Sequence, residues 1–276
     1  MKRKLFLLLS KRRKIIKYHS IKTEALKTEA LKTEALLPFL RFYIIYAMSI
    51  RKIDFVKGEY YHIYNRGNSK QRIFLDDKDR QRFLKLLYLC NSRQRIDFSN
   101  DIVKRKIDAW NYDKGESIVT IGAWVLMPNH FHLYITLKTE ARLPSGNAIS
   151  DFMHRILTGY SKYFNTKYKR TGSLFEGKFK SVHMKKDTQA KYLFSYIHLN
   201  PIKLINSEWK KQRIKDKRKI LKFLHSYKWS SYLDYLEFIR PESKLVNKIN
   251  FLNYFKTRGD FQKEIFEWIK ISDKNQ

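Results

Sequence analysis

Alternating apolar and polar positions in the middle of the chain predict a pair of antiparallel β-strands. Residues 118–126 and 134–137 are rich in β-branched, aromatic and aliphatic side chains, and a Pro-Asn pair between them supplies a turn. The second strand carries His130, Phe131 and His132. Since alternate side chains of a strand share a face, the two histidines are expected to project together, with Phe131 facing the core.

The spacing of apolar residues predicts the other elements. They are a strand over 59–65, a helix capped within 76–79, an irregular polar insertion over 91–117, a helix over 148–168, a strand over 179–184, a helix opened by Asp187 or Thr188 and closed by Pro201, a charge run over 210–219 and a last amphipathic helix over 251–271. The order β-α-β-β-α-β-α predicts an α+β fold, a ferredoxin-like sandwich with a central antiparallel sheet flanked by helices.

Composition narrows the class of protein. With 276 residues, 43% hydrophobic and 15% aromatic, the chain can build a substantial core. Its formal charge of +32 and pI near 10.0 imply a polyanionic partner, nucleic acid first and an acidic membrane surface second. One cysteine excludes an internal disulfide. No apolar run is long enough to span a membrane, so we expect a cytoplasmic protein.

A short repeat complicates the domain organisation. The sequence Lys-Thr-Glu-Ala-Leu occurs three times over 22–36, and a similar sequence occurs at 138–143. A five-residue period matches no structural repeat, so we interpret both as translated copies of a short DNA repeat. Met48 would then be the true start and 1–47 a basic N-terminal extension, followed by a domain over 48–235 and a C-terminal helical extension over 236–276. Residues 1–47 hold twelve Lys or Arg and three Glu, a net +9, which leaves +23.

The histidine pair is chemically suggestive only in combination with a second element. Two imidazoles side by side can bind one divalent cation, but a pair of partly buried strand histidines bonded to carbonyls is the commoner case. On the helix that ends at Pro201, Tyr196 and Asn200 are four residues apart and therefore share a face. A phenol beside an amide oxygen suits phosphoryl transfer.

These motifs resemble a known family, the single-strand tyrosine transposases of the HUH class, and within it the REP-associated tyrosine transposases. The resemblance covers 60–235. Five blocks in the family's order carry it: Tyr60-Tyr61-His62-Ile63-Tyr64-Asn65-Arg66-Gly67, Trp124-Val125-Leu126-Met127-Pro128-Asn129-His130-Phe131-His132, the segment 169–180, Tyr196-Ile197-His198-Leu199-Asn200-Pro201, and Trp229-Ser230-Ser231-Tyr232.

The resemblance implies a site and a mechanism. Tyr196 would be the nucleophile, and His130, His132 and Asn200 would bind Mg²⁺ or Mn²⁺ loosely, since imidazole and amide ligands suit these ions and no thiolates are at hand. Attack by the phenol would leave a 5′-phosphotyrosine and a free 3′-hydroxyl, so strands could be rejoined without ATP. Related transposases often have glutamine in place of Asn200, and the shorter side chain could instead end the helix before Pro201.

Basic and aromatic residues near 169–180 are candidate DNA contacts. The predicted phosphate contacts are Arg66, Lys169, Arg170, Lys178 and Lys180, and the predicted base-stacking residues are Phe175 and Phe179. The alternative is a solvated basic loop around two core aromatics. His62 and His183 are interpreted as structural, His198 as structural or as a phosphate contact, Glu176 as a loop carboxylate, and Tyr160 and Tyr163 as core residues.

The sequence therefore predicts a metal-dependent single-stranded DNA endonuclease and strand transferase that acts at or near hairpins. Its partner would be single-stranded or hairpin DNA, with monomer and homodimer both open and no membrane. No glycine-rich phosphate loop is present, so no nucleotide cofactor is expected. The rival functions are a catalytically inactive hairpin-binding protein, an RNA-binding module, and a metal hydrolase that uses water.

Overall fold

The computed structural model describes residues 55–138, 148–209, 216–248, 251, 254–255 and 257–271. All of them belong to one compact unit, Lys52–Gln276. The predicted N-terminal extension, its repeats and the Met48 start lie outside the described residues, as does 139–143. The predicted domain boundaries, including the one after 235, stay predictions.

Four strands form one antiparallel sheet. They are β1 (Tyr60–Arg66), β2 (Val119–Met127), β3 (His130–Leu137) and β4 (Lys180–His183). Their order across the sheet is β2-β3-β1-β4, and every neighbouring pair is antiparallel. This order places β3, the histidine strand, in the interior of the sheet beside β1.

Helices cover both faces of this sheet. They are α1 (Asp77–Cys90), α2 (Ala148–Lys167), α3 (Asp187–Leu199), α4 (Lys217–Ser226), α5 (Tyr232–Tyr235) and α6 (Arg258–Ile271). The elements β1 to α3 follow the predicted order, which confirms the ferredoxin-like α+β sandwich. None of the helices in the described ranges is long and apolar enough to cross a membrane.

The two faces of the sheet have different neighbours. On one face, the odd-numbered residues of β3 pack into a core shared with α1 and α2, and Phe131 is fully buried there as predicted. On the other face, α3 packs against β2 and β3. Because side chains alternate along a strand, His130 and His132 lie on the face that α3 covers.

Several boundaries differ from the predicted ones. The N-cap of α3 is Lys186, which makes no side-chain capping bond, rather than Asp187 or Thr188. The polar insertion contains a π-helix, Phe98–Val103, and a 3-10 turn, Ala109–Asn111. In the charge run, α4 begins at Lys217, capped by the Asp216 side chain on the Lys219 amide. The π-helix, the 3-10 turn and α4 each begin at a capping aspartate, which an apolar period does not reveal.

The outer edge of β2 is covered by the chain that follows α4. The Leu126 amide donates to the Trp229 carbonyl at 2.9 Å, and the Ser231 amide donates to the Trp124 carbonyl at 2.9 Å. Covering an edge strand satisfies backbone groups that would otherwise pair with another chain. The Trp-Ser-Ser-Tyr block is therefore part of the sheet's edge.

His198 connects α3 to this covering segment. The ring is fully buried; its Nδ1 donates to the Phe194 carbonyl at 2.9 Å and its Nε2 accepts from the Ser231 hydroxyl at 2.8 Å. Burial lowers the pKa of His198 to about 3. The predicted alternative role as a phosphate contact therefore gives way to a structural one, because the ring does not reach the surface.

His198 makes the stability of the fold sensitive to acid. Since the folded pKa is depressed from an unfolded value of about 6.5, the unfolded chain binds one more proton than the folded chain between the two values. The free energy of unfolding should then decrease as pH falls below 6.5, by up to about 1.4 kcal/mol per pH unit. In urea titrations, His198→Gln should lose about 2 kcal/mol less than the parent between pH 7 and pH 5.

His154→Gln is the matched control for this prediction, because His154 is exposed on α2. Its loss of stability between the two pH values should stay close to that of the parent. Equal losses in the parent and in His198→Gln would contradict the assignment.

Candidate active site

Two histidines and a tyrosine from separate elements meet on the α3 side of the sheet. The rings of His130 and His132 lie edge to face with centroids 5.0 Å apart. The Tyr196 ring on α3 lies edge-on to His132, with centroids 5.5 Å apart. The structure thus brings together three of the residues that the sequence predicts for the site.

Each of the two histidines forms a hydrogen bond within the protein through its Nδ1 atom. His130 Nδ1 lies 2.6 Å from the Asn129 amide oxygen, and His132 Nδ1 lies 2.8 Å from Nε2 of His62 on β1. In both rings Nδ1 is therefore engaged in a hydrogen bond within the protein. Sequence reasoning missed the contribution of His62, and only the pairing of β1 with β3 could have revealed it.

His130 and His62 are held neutral by their burial. Burial lowers the pKa of His130 to about 4, with further lowering by the cations of Lys203 and Arg66. Burial alone lowers the pKa of His62 to about 3. A neutral imidazole retains the lone pair that a metal ion requires.

Lys203 is a site residue that the sequence analysis did not identify. After α3, the chain continues as a 3-10 helix, Asn200–Leu204, with Pro201 at its first turn. This turn places Lys203 Nζ 3.4 Å from the Tyr196 hydroxyl and 5.3 Å from the centre of its ring. Lys203 is half-buried, and burial lowers its pKa.

Tyr196 is a weakly acidic phenol in this environment. Burial raises the pKa of Tyr196 to about 12, and the nearby Asn200 amide acts in the opposite direction. An uncharged phenol is a poor nucleophile, so any reaction through it needs a group that stabilises the phenolate. Lys203 is placed to donate a hydrogen bond to that oxygen.

Asn200 lies directly below Tyr196 and is fully buried. Among the described residues, its amide oxygen has no partner at hydrogen-bonding distance, whereas the amide group interacts with the Tyr196 hydroxyl and favours the phenolate. A buried amide oxygen without a bond costs about 1–3 kcal/mol. Such groups are uncommon in folded proteins and are typical of sites that receive a ligand.

The donor set fits a loosely bound divalent cation. Two imidazoles lie together on the α3 side of the sheet, and a buried amide oxygen without a bond lies on the adjacent helix. Within the described ranges, no group of three or more His, Cys, Asp or Glu side chains is placed to hold a metal ion. The remaining ligands would therefore be oxygen atoms, which suits Mg²⁺ or Mn²⁺.

Basic side chains border the histidine pair. Arg66 stands opposite His130 in the β1–β3 register, and Lys180 stands opposite Tyr64, which itself pairs with His132. Directly paired strand residues project to the same face. Arg66 also forms an ion pair with Glu176, with Nε donating to Oε2 at 2.7 Å. Glu176 is therefore paired with arginine at the rim.

The loop before β4 is attached to the end of β1. The Glu176 amide donates to the Arg66 carbonyl at 2.8 Å, and the Asn68 amide donates to the Leu174 carbonyl at 2.9 Å. These bonds bring the loop's basic residues to the same end of the sheet as His130. The sequence places them near the site only through the order of the blocks.

A scan of protein-family models and a search of curated proteins found no match. A solved structure described as "Structure of the REP associates tyrosine transposase bound to a REP hairpin" aligns over 75% of this chain and 96% of that chain, with 14% sequence identity and a TM-score of 0.42. A likeness at this level assigns neither a family nor an activity to the chain.

The predicted DNA contacts occupy different environments. Lys169, Lys178 and Lys180 are exposed, while Arg170 is half-buried and donates to the Gln71 side chain at 3.0 Å. Phe179 is half-buried against Phe55, with ring centroids 6.4 Å apart. The lysines are therefore available to phosphates, whereas Arg170 and Phe179 also have contacts within the protein.

Phe175 requires a correction. The ring is only 5% exposed and belongs to the main core, where it packs against Phe131 and Tyr160. A base could not stack on it without displacing the loop from the core. The structure therefore assigns Phe175 to packing and not to base stacking.

The other candidates from the sequence lie apart from the site. His183 pairs with Glu59, with Nε2 and Oε2 2.5 Å apart. Tyr160 is buried and donates to the Ile73 carbonyl, and Tyr163 donates to Asp79 at 3.1 Å. These contacts agree with the structural roles predicted for them.

Proposed function

We propose that this protein is a metal-dependent single-stranded DNA endonuclease and strand transferase that acts through Tyr196. One observation carries the proposal: the Tyr196 phenol lies against the histidine pair, with the Lys203 ammonium at its hydroxyl. Separate elements converge there on a nucleophile, a cation and two imidazole ligands. This combination is the one that phosphodiester transesterification requires.

In the proposed reaction, the phenol oxygen attacks the scissile phosphorus in line with the leaving group. A bond forms between Tyr196 Oη and phosphorus, and the bond from phosphorus to the 3′ oxygen breaks. The phenol proton passes to solvent, and the 3′ oxygen takes up a proton to become a hydroxyl. The energy of the broken phosphodiester is retained in the 5′-phosphotyrosine, so the reverse step rejoins strands without a nucleotide cofactor.

The chain's own residues have distinct tasks in this scheme. His130 and His132 would hold the cation through Nε2, with Asn200 as the proposed third ligand. The chemistry that a divalent cation supplies at such a site is withdrawal of negative charge from the phosphate and a lower pKa for a nearby hydroxyl. Lys203 would stabilise the phenolate by a charge-assisted hydrogen bond.

The positive charge of the surface around the site supports a nucleic-acid substrate. Arg66 and Lys180 share the sheet face of the histidines, and Lys169 and Lys178 are exposed on the adjoining loop. Such side chains would position phosphates without reading bases. The preference for single-stranded hairpin DNA is inferred from the resemblance of the five sequence blocks.

A labelling experiment tests the proposal. The protein is incubated with Mn²⁺ and a pool of single-stranded oligonucleotides in which an imperfect hairpin is flanked by randomised segments. DNA labelled at its 3′ end should enter a covalent adduct on a denaturing gel, and DNA labelled at its 5′ end should yield a shorter free strand with an extendable 3′-hydroxyl. Cleavage without an adduct would identify a hydrolase instead, and binding without cleavage would identify an inactive hairpin-binding protein.

Lys203→Met should slow adduct formation by about ten- to a hundredfold near pH 7, since a charge-assisted hydrogen bond is worth about 1.5–3 kcal/mol. Removing this cation should raise the pKa of Tyr196 further. Because burial lowers the pKa of Lys203, the parent loses this cation as the pH rises, so the deficit should narrow in alkaline buffer. Single-turnover rates from pH 6 to pH 10 measure both effects.

Two control variants accompany this prediction. Lys203→Arg keeps the charge and should retain most of the rate. Lys191 lies on α3, the helix of Tyr196, and pairs with Glu264 at 3.3 Å, so Lys191→Met should leave the pH profile unchanged. A Lys203→Met profile that keeps its shape would argue against contact with the reacting oxygen.

A further inference from the structure

Two residues behind the histidine pair have no role in the reaction as stated so far. We propose that Asn129 and His62 are positioning residues, which fix the ring tautomers of His130 and His132 and so direct both Nε2 lone pairs to the cation. The inference rests on the proposed function, because it assigns both residues to the same site. Each partner acts through a different hydrogen bond.

The Asn129 contact determines the His130 tautomer without ambiguity. The Asn129 amide nitrogen donates to the Lys70 carbonyl at 3.2 Å, which turns the amide oxygen toward His130. That oxygen has no proton, so the 2.6 Å contact requires His130 Nδ1 to be the donor. In a neutral ring with a proton on Nδ1, the lone pair is on Nε2.

The backbone holds Asn129 in this orientation. It occupies the turn between β2 and β3, and its carbonyl accepts from the Gly67 amide at 2.8 Å. Gly67 follows directly on Arg66, which stands opposite His130. The position of the amide is therefore set by the end of β1 as well as by its own turn.

His62 plays the corresponding part for His132. Both rings are buried, at 0% and 2% exposure, and their centroids lie 5.0 Å apart in a stacked arrangement. His62 Nε2 and His132 Nδ1 share one proton across 2.8 Å. If His132 donates it, Nε2 of His132 carries a lone pair; if His62 donates it, that nitrogen is protonated and closed to a metal.

The proposal assigns the proton to His132 Nδ1. The two candidate ligands then have the same tautomer and present the same atom on one face of β3. Outer partners of metal-bound histidines act in this way generally, and their removal weakens metal affinity by about 10- to 100-fold. His62 would thus fix the tautomer of His132, as Asn129 fixes the tautomer of His130.

The wild-type protein provides the first test, because both tautomers are read in its own spectra. Long-range proton–nitrogen correlation spectra of the ¹⁵N-labelled protein distinguish the two neutral tautomers of each histidine. His130→Gln and His132→Gln identify the two signals. Both residues should show a protonated Nδ1, and a protonated Nε2 on His132 would overturn the assignment.

Substitutions of His62 and Asn129 provide the second test, with Mn²⁺ alone as the probe and its free concentration read by electron paramagnetic resonance. His62→Leu and Asn129→Ala remove the acceptors and should weaken Mn²⁺ binding about 10- to 100-fold. His62→Gln and Asn129→Asp each retain an acceptor and should restore most of the affinity. Equal affinities within each pair would refute the positioning role, whatever their thermal stabilities.

This test separates failure of the inference from failure of the proposed function. If the tautomers and Mn²⁺ affinities follow the prediction and no DNA adduct forms, the positioning roles stand and the strand-transfer function falls. If the adduct forms while His62→Leu and Asn129→Ala keep full Mn²⁺ affinity, the function stands and the positioning roles fall.

Discussion

Tyr196→Phe should abolish the covalent adduct and reduce strand cleavage by at least about a thousandfold, because it removes only the attacking oxygen. The ring would keep its contact with His132, at a centroid distance of 5.5 Å. Mn²⁺ affinity and hairpin binding should therefore remain close to those of the parent. Adduct formation is measured on denaturing gels with 3′-labelled DNA under single-turnover conditions.

Tyr192→Phe is the matched control for this substitution. Tyr192 lies one turn earlier on α3 and stacks on Tyr196 with ring centroids 6.3 Å apart. The Tyr192→Phe substitution also removes one tyrosine hydroxyl from α3, but this hydroxyl lies away from the histidine pair. Tyr192→Phe should form the adduct at a rate within a few-fold of the parent. A persistent adduct in Tyr196→Phe would contradict the assignment of Tyr196 as the nucleophile.

Replacing both His130 and His132 with alanine should eliminate Mn²⁺ binding and slow cleavage by about a thousandfold or more, since charge stabilisation by a bound cation is worth several kcal/mol. Binding of hairpin DNA should persist, because the basic side chains around Arg66 are unchanged. Calorimetric titration with Mn²⁺ and single-turnover cleavage measure the two effects separately.

His183→Ala is the control for the double substitution. His183 is also a strand histidine, but it pairs with Glu59 away from the site. It should bind Mn²⁺ and cleave DNA like the parent. If the double variant retained cleavage in the presence of a chelator, the proposed dependence on metal would be refuted.

Much of the architecture was accessible from local patterns. The turn after β2 and the alternation along β3 predicted that His130 and His132 share a face, because a period of two leaves no other arrangement once Phe131 is buried. The first helix was predicted from its cap, and Asp76 and Asp79 do form a capping box. Such features depend only on residues close together in the chain.

The partners of the site residues were not accessible in this way. His62 meets His132 through the pairing of β1 with β3, and a shift of one residue in that register would turn it to the other face. Lys203 reaches Tyr196 because the chain continues into a 3-10 turn beyond Pro201, where the sequence predicted only an end to the helix. The sequence left open whether Phe175 stacks on bases or packs in the core, because its burial depends on how the loop docks against the core.

By itself, the sequence determined the kinds of chemical group at the site, the sheet face of the histidines and the shared helical face of Tyr196 and Asn200. These follow from the fixed periods of strand and helix. The tertiary structure alone decided that α3 covers the histidine face, that Lys203 contacts the phenol, and that His62 contacts His132. Contacts between distant segments depend on strand register and layer packing, which no local pattern encodes.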